Sequence, residues 1–222
     1  MRVDCLERLR CPADHPSSPL ITLATHRAGE HVIDGVLGCP ICGAEFAIAR
    51  GVAQLGPPPA HGDATPNASA AATGPADPWR LAALLDLTTP ARRVLLTGTW
   101  AQEAGALQEA TEARCVVLNA VGAAQHMGTD APDAMSLPMG HRLPLGDATL
   151  DGLAVDGAHL TFLADAGRVL RSGGRLVAPV TAAIPDGCRE LARDAELWVA
   201  TADAASAVSA PVPLRRQSPP SA

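Results

Sequence analysis

The stretch Ala166-Gly167-Arg168-Val169-Leu170-Arg171-Ser172-Gly173-Gly174-Arg175-Leu176-Val177 carries the reading of the fold. Leu160, Leu163, Gly167 and Leu170 recur at helical spacing. Arg171 to Gly174 then make a turn, and Arg175-Leu176-Val177-Ala178-Pro179-Val180 reads as an apolar strand. A helix returning through a glycine turn into a strand is the repeating step of an α/β sheet. Working outward, Arg93-Val94-Leu95-Leu96-Thr97 is a buried strand, and 101–110 is a helix of good formers. Cys115-Val116-Val117-Leu118-Asn119 is a second strand, and Gly152-Leu153-Ala154-Val155-Asp156 a weaker third. Trp79 to Leu87 reads as a short helix stopped by Thr88-Thr89-Pro90. Residues 196–201 and 212–216 are expected to close the sheet as a final hairpin. Near-continuous apolar strands alternating with helices predict a mostly parallel sheet covered on both faces.

The 222 residues suffice for one ordinary domain or two small ones. With 47% hydrophobic and 18% charged residues, composition favours a folded chain. Aromatics are only 2%, so a core of Ala, Val and Leu buries little area per residue and invites help from a metal or a partner. The formal net charge is -6, and every Lys-or-Arg position is Arg. That acidic balance argues against direct nucleic-acid binding, which needs a basic face. No apolar run is long enough for a transmembrane segment, and Met1 to Arg8 carries charges where a signal peptide would be apolar. The expected location is cytoplasmic, where six cysteines point to metal binding rather than to a disulfide framework.

Composition divides the chain. Residues 1–55 hold four of the six cysteines and alternate short apolar runs with turn residues, as a small β module does. Residues 56–78 are a Pro/Ala/Gly-rich linker, 79–217 carry the α/β pattern, and 218–222 are a tail. In the first part, Cys39-Pro40-Ile41-Cys42-Gly43 is a knuckle whose two thiolates can reach one tetrahedral Zn(II). Upstream, Cys11-Pro12-Ala13-Asp14-His15 offers Cys11 and His15 at C-x3-H spacing. The expected ligand set is Cys11, His15, Cys39 and Cys42, with Asp14 as the alternative fourth ligand. Cys5 reads as core beside Leu6 and Leu9, and His26 and His31 as surface residues flanking a turn. Cys115 lies inside an apolar strand and Cys188 near a helix start, so neither reads as a ligand.

Leu6-Glu7-Arg8-Leu9-Arg10-Cys11-Pro12, Gly35 to Gly43 and Phe46-Ala47-Ile48-Ala49-Arg50-Gly51-Val52 resemble the small zinc-ribbon family of methyltransferase activators, over the first quarter of the chain. The resemblance implies a module that binds and stabilises methyltransferase subunits acting on tRNA, rRNA or release factors. Residues 79–217 are similar to class I S-adenosylmethionine-dependent methyltransferases, which implies a Rossmann-like sheet. Val94 to Trp100 stands at the first strand and glycine loop, Leu143 to Gly152 leads into the fourth strand, and Ala166 to Val177 into the fifth.

The same resemblance marks where the chemistry departs. Of the loop glycines only Gly98 is kept, with Trp100 and Gln102 at the later positions and Leu96 where an acid is expected. Asn119 replaces the carboxylate that binds the cofactor ribose. Gly98 and Asn119 are thus vestiges of a cofactor site, Trp100 is expected to fill the abandoned crevice, and S-adenosylmethionine is not expected to bind. His126, Asp130, Asp133 and His141 match no ligand spacing and read as loop decoration, and Asp147 and Asp151 as turn and cap residues. The reading that follows is a non-catalytic binding or assembly protein with a zinc ribbon and a protein partner. The alternative is an active methyltransferase acting on RNA or protein through an atypical loop.

Overall fold

In the computed structural model, which describes residues 1–56, 77–119, 131–138 and 142–203, the N-terminal quarter forms α1 (Val3–Leu6) and an antiparallel meander. Its strands are β1 (Ile21–Ala28), β2 (His31–Gly38), β3 (Glu45–Ala49) and β4 (Val52–Gln54). The expected linker and tail fall almost wholly outside the described residues. Next come α2 (Pro78–Leu84), β5 (Arg93–Thr97), a 3-10 helix over Gly98–Glu103, α3 (Ala104–Thr111), β6 (Arg114–Leu118) and β7 (Asp133–Ser136). The chain continues through β8 (Leu150–Ala154), a 3-10 helix over Leu160–Asp165, α4 (Ala166–Val169), β9 (Leu170–Pro179), β10 (Cys188–Arg193) and β11 (Leu197–Ala202).

All eleven strands join one sheet in the order β1-β2-β3-β4-β7-β6-β5-β8-β9-β11-β10. The central pairs, from β4·β7 across to β8·β9, are parallel, and the pairs outside them are antiparallel. The fold is therefore mixed α/β with a parallel centre, as the alternating pattern predicts. Period-two alternation builds its two apolar layers. Val94 and Leu96 face one layer with Cys115 and Val117, under Leu81, Leu85 and Leu107 of α2 and α3. Leu95, Val116 and Leu118 face the other, which continues without a break into Leu6, Leu9, Leu37 and Ile48 of the N-terminal segment.

That continuity has a backbone counterpart. Val52, Ala53 and Gln54 pair with Ala134, Met135 and Ser136, so the meander and the parallel strands share hydrogen bonds. Arg10 N–H donates to the Pro144 carbonyl at 3.0 Å, and Gly146 N–H to the Arg8 carbonyl at 3.1 Å. Asp133, expected in a loop, instead opens β7, is 3% exposed and accepts from the Arg2 backbone N–H at 2.6 Å. A buried carboxylate without such a donor would be costly.

Several elements differ from the sequence reading. Asp77 caps α2 by accepting from Trp79 N–H at 3.0 Å, with Pro78 at the first helical position, so that helix runs Pro78–Leu84. The helix expected over 101–110 begins as a 3-10 turn over Gly98–Glu103, in whose first residues Thr99 N–H donates to the Asp156 carboxylate from just beyond β8. The closing hairpin is β10 with β11, so Cys188 begins a strand rather than a helix; residues 212–216 lie outside the described residues. The Arg171–Gly174 turn is an excursion within β9, since Leu150 pairs with Leu170 and Gly152 with Arg175. Gly174 is required there, because a β-carbon would stand 2.9 Å from the Arg171 carbonyl oxygen.

Candidate metal centre and glycine loop

Cys39 and Cys42 are brought together by a tight turn after β2. Cys39 N–H donates to the Ala44 carbonyl at 2.8 Å, Gly43 N–H returns to the Cys39 carbonyl at 3.0 Å, and Gly43 adopts φ +71°. Cys11 and His15 come from the loop after α1, where Cys11 N–H donates to the Ser18 carbonyl at 3.0 Å. The ligand atoms of Cys11, His15, Cys39 and Cys42 all lie within 4.8 Å of one another, and Asp14 is not in the group. Cys11 Sγ is 3.8 Å from Cys42 Sγ, and Cys39 Sγ is 3.4 Å from His15 Nε2. With zinc–sulfur bonds of about 2.3 Å, the edge of a tetrahedron is about 3.8 Å, so the Cys11–Cys42 separation already matches one zinc site and no pair of donors need close by more than about 1 Å.

The histidine is already set for that task. His15 Nδ1 lies 2.7 Å from the Pro16 carbonyl oxygen, which can only accept, so Nδ1 carries the proton and Nε2 presents a lone pair. Desolvation raises the Cys39 thiol, but backbone N–H groups of Cys42 and Ile41 and the neighbouring thiols outweigh it and bring Cys39 down to about 6. Desolvation lifts Cys11 to about 12, with Cys39 and Cys42 adding to the rise. One thiolate is thus available at neutral pH to begin metal capture. A bound zinc here would cross-link the loop after α1 to the turn after β2. Its ligand set would be closed, leaving no coordination position for substrate.

The second cluster lies at the C-terminal ends of β5 and β8. Gly98 follows β5 at φ +51°, and a β-carbon on it would meet Asp156 Oδ2 at 2.0 Å. That carboxylate comes from just beyond β8 and is 8% exposed at the residue level. Asp156 Oδ2 accepts from Thr99 N–H at 3.1 Å, and Oδ1 from the Thr97 hydroxyl at 3.3 Å and from His159 Nδ1. Asp156 N–H donates back to Thr97 Oγ1 at 3.0 Å. Burial pushes the Asp156 carboxyl up, but His159, Thr99 N–H and Thr97 together hold it below the usual carboxylate range. His159 stacks on Phe162, ring centroids 6.1 Å apart.

Asn119 follows β6 with φ +53°. Its Nδ2 donates to the Leu137 carbonyl at 2.8 Å, and its Oδ1 accepts from Leu137 N–H at 2.8 Å. Both ends of the amide thus bind backbone within the chain. Trp100 is 9% exposed in the apolar layer with Leu81, Leu85 and Leu107, while Gln102 is exposed. Leu96, at the position where an acid is expected, is fully buried in the same layer. The sequence reading did not single out Asp156 and His159. The feature that could have found them is an Asp and a His three residues apart just past a parallel strand, the end at which such sheets hold ligands.

The remaining candidates fall elsewhere. Cys5 and Cys115 are buried, and Cys188 is half-buried on β10. His26 is exposed and lies 3.4 Å from Asp34, whereas His31 is half-buried, its Nε2 buried without a partner among the described residues. Asp147 is an exposed turn residue that meets Arg168 at 3.0 Å. Asp151, expected as a turn or cap residue, sits within β8, accepts from Arg93 N–H at 2.8 Å and pairs with Arg171 at 2.6 Å. His126, Asp130 and His141 lie outside the described residues. Among the described residues no helix is long and apolar enough to cross a membrane.

No protein-family model matches the chain, and no curated protein does either. Among solved structures it is similar to a candidate sarcosine dimethylglycine methyltransferase from Galdieria sulphuraria (TM-score 0.36, 14% identity, covering 46% of this chain and 44% of that one). It is also similar to the antibiotic-resistance methyltransferase Kmr (TM-score 0.39, 15% identity, 60% of this chain and 96% of that one). A third is geranyl diphosphate C-methyltransferase from Streptomyces coelicolor A3(2) (TM-score 0.37, 14% identity, 46% of this chain and 41% of that one). The chain spans less than half the length of the first and third of these.

Proposed function

We propose that this chain is a non-catalytic binding or assembly protein, in which a zinc-holding ribbon is fused edge-on to a methyltransferase-like sheet whose cofactor loop is closed. The observation that carries the proposal is the Asp156 carboxylate lying on Gly98 and accepting the Thr99 N–H. Loop amides of this kind serve an anionic ligand group only when they are free. Here an internal carboxylate takes that role, Asn119 is spent on Leu137, and Trp100 is buried in the apolar layer.

A protein partner is favoured by what the ribbon exposes. On the edge strand β1, Ile21 and Leu23 are 63% and 67% exposed on one face, and Ile41, between the knuckle cysteines, is 56% exposed. An open strand edge with apolar side chains is a template for another chain. The chain's charge of -6 favours a protein over nucleic acid in that role.

A second reading, an active methyltransferase acting on RNA or protein, is favoured by the same carboxylate seen differently. Asp156 supplies in space the acid that Leu96 does not, beside a glycine that keeps its positive φ. Thermal unfolding in the presence of S-adenosylhomocysteine separates the two. An unchanged midpoint supports the closed loop, and a rise of several degrees supports the enzyme.

A further inference from the structure

At the end of the sheet opposite the glycine loop, the first residues of β5 and β6 are both arginines, Arg93 and Arg114. With Arg2 and Arg8 from the N-terminal segment they line one open pocket whose closed part has room for about one water-sized atom, so a bound group would seat one oxygen there and keep the rest in the mouth. Asp4, Asp133, Cys5 and Thr149 also line it, over an apolar floor of Val116, Leu145 and Leu150. This gathering of guanidinium groups stands out in a chain whose net charge is -6.

Two of the four arginines have carboxylate partners. Arg2 pairs with Asp133 at 3.3 Å and with Asp4 at 3.7 Å, and Arg114 pairs with Asp4. The nearby Asp151 is engaged by Arg171 at 2.6 Å and by Arg92 at 4.0 Å, and it accepts only the backbone N–H of Arg93. Arg8 and Arg93 therefore have no ion pair among the described residues, and the Nε of each is a buried donor without a partner there. A buried, uncompensated guanidinium donor is costly, and the cost is removed when an acceptor oxygen occupies the gap. Burial lowers Arg93 from its ordinary value, the Arg8 and Arg114 charges lower it further, and the Asp4 and Asp151 carboxylates offset part of this.

We propose that Arg8 and Arg93, with Arg2 and Arg114 around them, form a binding site for a small oxyanion, a phosphate or carboxylate group. Planar guanidinium forks match the oxygen pairs of both groups. The site joins the N-terminal segment to the first two parallel strands of the second, so an occupied pocket would tie the two parts of the chain together by charge as well as by the shared sheet. The proposal is independent of whether S-adenosylmethionine binds at the other end.

The test is calorimetric titration of the full chain with inorganic phosphate and, separately, acetate, at pH 7 and an ionic strength held constant with chloride. One-site binding of either anion is expected, and the stronger of the two names the group. Arg93→Gln and Arg8→Gln should each weaken it roughly tenfold or more, while Arg80→Gln, an exposed arginine of α2, should leave it unchanged. Phenylglyoxal labelling of the unmodified chain, mapped by mass spectrometry, gives a readout that needs no variant. The anion should protect Arg8 and Arg93 more than Arg80. No saturable binding, binding that survives both glutamine variants, or equal protection at all three arginines would overturn the proposal.

Discussion

The Asp156 carboxylate stands where a side chain on Gly98 would begin: a β-carbon there would lie 2.0 Å from Oδ2. Each residue thus depends on the other. Only glycine leaves room for the carboxylate, and the carboxylate takes the Thr99 N–H that the tight turn after β5 would otherwise leave without an acceptor. Thr97 and His159 complete the network from either side.

This network makes stability depend on acid. Asp156 in the folded chain titrates below the usual carboxylate range, while the unfolded residue titrates near 3.9. The unfolded state therefore binds the proton first as pH falls, so the stabilisation is complete above about pH 5 and is lost as pH drops through the folded value. Urea unfolding at a series of pH values should show the wild type losing stability on that limb, and Asp156→Asn should be less stable at pH 7 with a flatter acid limb. Parallel limbs in the two proteins would show that Asp156 is not the group responsible.

Metal analysis of protein purified without chelator should give about one zinc per chain. Cys39→Ser and Cys42→Ser should each lose the metal and cost more than about 3 kcal/mol in stability. Cys5→Ser should keep the zinc, since Cys5 is a core residue outside the ligand group. Equal metal loss in all three variants would mean the ligand set is wrong.

Asn119 gives a prediction that distinguishes its structural role from a cofactor role. Asn119→Asp restores the carboxylate expected of a ribose ligand but removes the donor to the Leu137 carbonyl and sets two acceptors against each other. It should destabilise the chain by about 1–3 kcal/mol and confer no affinity for S-adenosylmethionine. Calorimetric binding in the variant would show that the amide is a weakened cofactor ligand after all.

Trp100 fills the apolar layer beneath α2 and α3. Trp100→Ala should cost about 3–5 kcal/mol by leaving a cavity in that layer. A loss below about 1 kcal/mol in chemical unfolding would place the ring outside the core.

What was legible in the sequence is what local pattern determines. Arg93–Thr97 and Arg114–Leu118 are continuous apolar runs, so their strands stand out, and the C-x2-C and C-x3-H spacings bring the two members of each ligand pair within reach by local geometry, while the fold brings the two pairs together. The polar, short β7 and the almost wholly exposed β10 carry no such pattern, because neighbouring strands rather than their own periodicity hold them. Likewise the pairing of Val52 with Ala134 and the approach of Asp156 to Gly98 join residues far apart in the chain, and no local spacing encodes them.

Calorimetric titration of S-adenosylmethionine into the full, zinc-loaded chain reads out the closed loop itself. A closed loop gives no saturable heat even at millimolar cofactor, in the wild type and in Trp100→Ala alike. A one-site isotherm with a micromolar Kd in the wild type would contradict it, and would make Asp156 the acid of a working cofactor site.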